Sequence, residues 1–144
     1  MRISHTIAFM FVGSFLVQYF LMNTIMTNSI TDYTNSLGKA YISVIMGLYM
    51  VLLEVMMRDY QYSSISIKTY CITFGLLATF IYLYRQQVGI RDKEYLKGMI
   101  EHHSMALLTS KRILEKSDDY NVAKLAKNII EKQEEEIQFM RNTL

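Results

Sequence analysis

Two groups of potential metal-ligand side chains stand out in the C-terminal part of the chain. The first is the stretch MIEHH at residues 99–103, and the second is the pattern QxxEIxxM at residues 133–140. Imidazole nitrogen suits copper and zinc, carboxylate oxygen suits zinc, and thioether sulfur selects Cu(I). We therefore expect a copper site, with zinc as the alternative, whose candidate ligands are Met99, Glu101, His102, His103, Gln133, Glu136 and Met140.

Both groups lie in segments with the periodicity of amphipathic helices. Apolar residues recur at spacings of three and four from Leu96 to Leu114, and again from Val122 to Leu144. The stretch SDD at residues 117–119 supplies a turn and the N-cap of the second helix. Two helices with so short a link form an antiparallel hairpin.

The hairpin predicts that the two ligand groups meet. In an antiparallel hairpin closed at residues 117–119, position 103 pairs in depth with about position 133. His103 and Gln133 would then face each other on the core side, with the remaining candidates within one turn. The structural alternative is that His103 and Gln133 form a buried hydrogen bond that sets the register, while His102 stays in solvent.

A hairpin by itself leaves one apolar side uncovered. We therefore expect a homo-oligomer, a dimer or higher, in which the hairpins assemble into a four-helix bundle. The expected fold class is all-α.

The first part of the chain has the composition of a membrane domain. The chain is 51% hydrophobic, and only eight of its charged side chains precede residue 90. Three stretches, at about 7–26, 40–57 and 65–84, are apolar enough to cross a bilayer, because a span takes about 20 helical residues. We expect an integral, multi-pass protein whose partner is the lipid bilayer, with a membrane domain at 1–89 and the hairpin at 90–144.

Charge and motifs argue against two broad classes of function. Residues 90–144 carry ten acidic and ten basic side chains, and this balance does not supply the basic face that nucleic acid requires. The Glu-x-x-His spacing of di-iron sites is missing, because residues 99 and 100 are Met and Ile. The sequence also contains no nucleophile motif and no phosphate-binding loop. We expect neither nucleic-acid binding nor an enzymatic activity.

The positive-inside rule bears on orientation. The link at residues 28–38 has no basic residue, whereas the next link carries Arg58 and Lys68. This bias places the C-terminal hairpin on the non-cytoplasmic side. The reverse orientation is favoured by the basic residues after the third span, which are Arg85, Arg91, Lys93 and Lys97.

The two ligand groups resemble the domain-of-unknown-function 305 family (DUF305). The pattern of that family runs Met-Ile-Pro-His-His and later Gln-x-x-Glu-Ile-x-x-Met, and the stretches MIEHH and QEEEIQFM match it. The resemblance covers about residues 85–144, and the three spans are similar to those of a membrane-anchored subgroup. It implies a ferritin-like four-helix bundle, with some members associated with copper binding and resistance. The marked residues of the family fall on Met99, His102, His103, Gln133, Glu136 and Met140.

Two departures from the family pattern matter. Glu101 stands where the family has proline, and it adds a possible carboxylate ligand beside the histidines. Members of the family often contain two hairpins in one chain, whereas this chain has one. The resemblance therefore implies that a complete bundle comes from two or more chains.

Three functions remain open on the sequence. The leading interpretation is a membrane-anchored metal-binding protein that holds or relays copper through His, Met and Glu side chains. The second is a three-span copper transporter, favoured by Met46 and Met50 in the middle span; the third span, however, lacks the GxxxG pattern of the similar copper importers, and their metal-rich tail is absent. The third is a structural oligomeric membrane protein whose hairpins join subunits without metal chemistry.

Overall fold

The computed structural model describes residues 3–144, with side chains from His5 onward. The secondary structure of these residues is helical, and they contain no strand. A π-helical turn, Val17–Met22, joins the first two helices, and a short 3-10 turn, Ile30–Asp32, precedes the third. The predicted all-α fold is confirmed. The helices are α1 Ile3–Leu16, α2 Asn23–Met26, α3 Leu37–Tyr62, α4 Ile67–Arg85, α5 Asp92–Leu114 and α6 Tyr120–Thr143.

Three helical stretches are long and apolar enough to cross a membrane. They are His5–Met26, Leu37–Tyr62 and Ile67–Arg85. Each contains most of one span predicted from the sequence, so the expectation of three membrane-spanning candidates is confirmed. The fold therefore has the helices that an integral membrane protein requires.

The middle helix continues past its predicted end at residue 57 as far as Tyr62. The polar residues that follow it are bound to Asp59 in the last turn of the helix. The Asp59 carboxylate accepts hydrogen bonds from the Ser66 N–H at 2.7 Å and from the Ser64 hydroxyl at 3.1 Å. Because this carboxylate satisfies donors of the turn, the helix can extend beyond its apolar run.

One compact unit consists of Met1–Leu21 and Gly38–Gly89. Its buried cluster is formed by leucines of α3 and α4, and Phe11 of α1 packs against it. Gly47 permits this approach, because a Cβ added there would lie 2.9 Å from the Phe11 ring and 3.1 Å from the Phe11 carbonyl oxygen. Small residues serve this purpose wherever helices pack closely in membranes. The leucines of the cluster are Leu48, Leu52 and Leu77.

The other compact unit consists of Met22–Leu37 and Ile90–Leu144. Its main part is the predicted hairpin of α5 and α6, which is confirmed. Asp119 caps α6, since its carboxylate accepts hydrogen bonds from the N–H groups of Asn121 and Val122. The buried core between the two helices contains Ile100, Leu107, Ile137 and Met140, with Leu96, Met99 and Ile130 packed against it.

The second unit also contains a segment that the sequence did not connect with the hairpin. Residues 27–36, here called the strap, lie between α2 and α3 and bind to α5. The Thr34 N–H donates to the Glu101 carboxylate at 2.6 Å, and the Thr34 hydroxyl donates to the Lys97 carbonyl at 2.8 Å. The Leu37 N–H, just after the strap, donates to Glu94 at 2.7 Å. The hairpin is therefore covered on one side by residues distant in sequence.

Candidate functional site

The most informative side chain of the hairpin is His103 on α5. Its residue is 9% exposed, so it belongs to the interior. The Nδ1 atom lies 2.7 Å from the backbone carbonyl oxygen of Met99, one turn earlier. The Nε2 atom lies 2.9 Å from an Oε2 oxygen of Glu136 on α6. One imidazole thus connects the two legs of the hairpin.

These contacts determine how His103 can hold a proton. A carbonyl oxygen can only accept a hydrogen bond, so the hydrogen of that contact must be on Nδ1. The Nε2 atom then faces the Glu136 carboxyl group, and a hydrogen bond between them needs a hydrogen on one of the two atoms. A histidine that donates Nδ1–H to a carbonyl has the orientation of metal-binding histidines, which bind the metal through Nε2. A metal ion could take the place of the hydrogen in this contact.

The partner of His103 differs from the predicted one. The sequence placed His103 level with Gln133, whereas the contact is with Glu136, about one helical turn farther along α6. The reason is that helical side chains lean toward the N-terminus of their own helix. His103 on α5 therefore leans away from the link, and Glu136 on α6 leans toward it. Gln133 itself is half-buried.

Glu101 has a different environment from the one expected beside the histidines. It is 4% exposed, and its carboxylate accepts the Thr34 N–H and, at 3.5 Å, the side-chain amide of Asn23. Two helix positions separate it from His103, and that spacing places the two side chains on different faces of α5. Glu101 binds the strap, while His103 binds α6.

The remaining candidates are not gathered around one point. His102 is exposed, and its ring centroid lies 6.1 Å from that of His103. Met140 is 7% exposed and Met99 is half-buried, and both pack in the same apolar core. Within the described residues, no group of three or more His, Cys, Asp or Glu side chains could hold a metal ion. The structure therefore brings together two candidate ligands, His103 and Glu136, while Met99 and Met140 belong to the apolar core of the hairpin.

A buried polar network beside this pair was not foreseen. Ser104, which is fully buried, donates to the Asp32 carboxylate at 2.6 Å and accepts the Asn28 N–H at 2.8 Å. Asp32 is also paired with Arg141 near the end of α6. Asp32 is the only acid in the link between the first two spans, but that position alone could not name a partner 72 residues away.

Two ionisable groups of this unit have shifted pKa values. The hydrogen bond from the Lys97 ammonium, followed by that from the Leu37 N–H, holds the pKa of Glu94 below its ordinary value. Burial, followed by the negative charge of Glu101, raises the pKa of Tyr33 above its ordinary value. Both shifts arise where the strap and its flanking residue meet α5.

The fold and the site define a class of protein with three apolar helices and a C-terminal helical hairpin containing a histidine–carboxylate pair. The family model described as a domain of unknown function, DUF305, matches residues 82–144. A similar curated protein, the uncharacterized protein L153 of Acanthamoeba polyphaga mimivirus, is 34% identical over 139 residues, which are 96% of this chain and 90% of the relative. No solved structure matches. The chain belongs to the DUF305 family.

Proposed function

We propose that this protein is a membrane-anchored metal-binding protein that holds or relays copper at His103 and Glu136. One observation carries the proposal: the Nδ1–H of His103 is engaged by the Met99 carbonyl, and its Nε2 lies 2.9 Å from a carboxylate of the other helix. A nitrogen and an oxygen ligand from two legs of the hairpin are thus already at one level. Metal binding there would displace the hydrogen of the His103–Glu136 contact, because a metal ligand must be deprotonated.

Copper fits these residues better than zinc does. Structural zinc sites use four ligands, and catalytic ones three plus water. The described part of the chain offers no group of three His, Cys, Asp or Glu side chains. Cu(I), in contrast, is selected by thioethers, and the same hairpin contains Met99 and Met140 in its apolar core. If bound, the ion would add a redox-active or transferable centre to the hairpin.

The membrane anchor follows from the three apolar helices. The strap and the hairpin belong to one compact unit, so they must lie on the same side of a bilayer. Two of the candidate spans, Leu37–Tyr62 and Ile67–Arg85, separate them, and two crossings return the chain to the side that it left. The absence of basic residues in the strap favours the non-cytoplasmic side for this unit.

The test measures copper bound by the full-length protein in detergent. Elemental analysis and competition with a chromophoric Cu(I) chelator should give about one ion per chain. The variant His103→Ala should lose it, and Glu136→Gln, which replaces the proposed carboxylate ligand by an amide, should bind copper more weakly than the wild type. The matched control is His102→Ala, which removes the neighbouring exposed imidazole and should retain the ion. Stoichiometric copper in folded His103→Ala would refute the proposal.

A second candidate is an anchored structural protein without metal chemistry. Its support is that the polar groups of the unit satisfy one another: Glu136 with His103, and Ser104 and Arg141 with Asp32. Such a network can specify a unique packing by itself. Elemental analysis separates the two candidates, because this one requires no metal in the wild-type protein under any copper supply.

A further inference from the structure

Helix α5 has three sides, and two of them are covered within the chain. One side packs on α6 through Ile100 and Leu107. A second side binds the strap through Glu101 and Ser104. The third side carries a row of six residues, here called the α5 seam, in which spacings of four and three alternate. One of them, Met99, lies at the border with the α6 side and also packs against the core of the hairpin. The seam residues are Tyr95, Met99, His102, Ala106, Thr109 and Ile113.

The α5 seam has the pattern of a helix interface but remains accessible. Alternating spacings of four and three are those of the core positions of a coiled coil. Tyr95 is 53% exposed and Ile113 is 43% exposed, and His102 and Thr109 are exposed as well. The seam extends for about 27 Å along the helix, at 1.5 Å per residue. These four side chains therefore keep accessible surface in the described part of the chain.

The sizes of the seam side chains make it complementary to itself in one orientation. Consider two copies of α5 packed antiparallel around a two-fold axis level with residue 104. Tyr95 then faces Ile113 of the partner subunit, and His102 faces Ala106 of the partner subunit. Met99 likewise faces Thr109 of the partner subunit. Each larger side chain meets a smaller one, as interdigitating helices require.

The charges at the two ends of α5 favour the same orientation. Arg91 and Asp92 lie at its start, and Lys116 and Asp118 lie just after its end. All four are exposed, and none forms an ion pair with another described residue. In the antiparallel pair, Asp92 comes level with the partner's Lys116, and Arg91 with the partner's Asp118. A parallel pair would instead oppose like charges.

We infer that the α5 seam is a homodimer interface, in which a second copy of this chain packs antiparallel and two hairpins form one four-helix bundle. The interface is isologous, so each copy presents the same six residues. The inference does not depend on the proposed metal function, because the seam contacts need no ion. The second copy would cover the third side of α5, which α6 and the strap leave accessible.

Disulfide crosslinking of the full-length protein in detergent tests the register. The starting chain is Cys71→Ser, which removes the only native thiol. Two chains with different tags, one with His102→Cys and one with Ala106→Cys, should crosslink to each other on mild oxidation, because facing positions place Cα atoms within roughly 7 Å. Tyr95→Cys should crosslink with Ile113→Cys. All samples contain a metal chelator, so failure of the copper proposal leaves this result unaffected.

Two controls make the experiment decisive. Tyr95→Cys mixed with itself should not crosslink, because its two copies lie about 27 Å apart in the antiparallel pair; dominant crosslinking there would overturn the inference. Lys127→Cys on the exposed face of α6 should also stay uncrosslinked.

A charge exchange tests the same interface without cysteine. Asp92→Lys should lower the dimer fraction measured by sedimentation, and Asp92→Lys combined with Lys116→Asp should restore it. A wild-type protein that sediments as a monomer, or a double variant no more dimeric than the single one, would overturn the inference.

Discussion

Replacement of Glu101 tests whether this carboxylate serves the strap and not a metal ion. Glu101 is 4% exposed and accepts the Thr34 N–H at 2.6 Å. The variant Glu101→Ala removes the acceptor and leaves that N–H without its charged partner. Hydrogen bonds to charged groups contribute about 1.5–3 kcal/mol, so we expect the free energy of strap opening to fall by about 2 kcal/mol. Glu101→Gln retains an acceptor without the charge and should cost about half as much.

Hydrogen–deuterium exchange of the full-length protein in detergent measures the free energy of strap opening directly. A loss of about 2 kcal/mol corresponds to roughly 30-fold faster exchange at the Thr34 amide when opening is at equilibrium. The matched control is Glu131→Ala, an exposed glutamate of α6 that should change nothing. Copper binding, if present, should survive Glu101→Gln. Unchanged protection at Thr34 in Glu101→Ala, or copper lost with the strap intact, would show that the role assigned to Glu101 is wrong.

Two further predictions concern packing and pH. Gly47→Ala should destabilise the unit that contains α3 and α4 by about 1–3 kcal/mol, as overpacking does, because the new Cβ would lie 2.9 Å from the Phe11 ring. The measurement is an unfolding titration of the protein in detergent. In that titration the control Gly75→Ala, whose new Cβ would have nothing within 4 Å, should be neutral or stabilising. The pKa of Glu94 is lowered, first by Lys97, so the ionised carboxylate stabilises the fold above its ordinary pKa and that contribution is lost as pH falls through the folded value. Acid should therefore lower the stability of the wild-type protein. In Glu94→Gln, stability measured by circular dichroism should depend less on pH over this range. A pH dependence equal to that of the wild type would contradict the assignment.

Much of the architecture could be predicted from local patterns. The three apolar runs indicated the three candidate spans, and spacings of three and four indicated α5 and α6. The acids at residues 118 and 119 indicated the turn, and Asp119 is the cap. These features depend on residues within one or two helical turns of each other. Periodicity records which side of an element is buried, and this is a local property.

The contacts of the site depended on the tertiary structure. The spacing of His103 and Glu136 allowed these side chains to meet, but the contact also requires α5 and α6 to pack at a particular depth, which only the folded hairpin determines. Glu101 looked like a neighbour of the histidines in sequence, yet it faces the strap, 67 residues away at Thr34. Hydropathy describes residues 27–36 only as a polar link, because it scores each residue separately and contains no information on contacts with α5. Which buried polar group a link will satisfy is decided by three-dimensional packing, since a carboxylate in the interior must find its donors wherever the chain brings them.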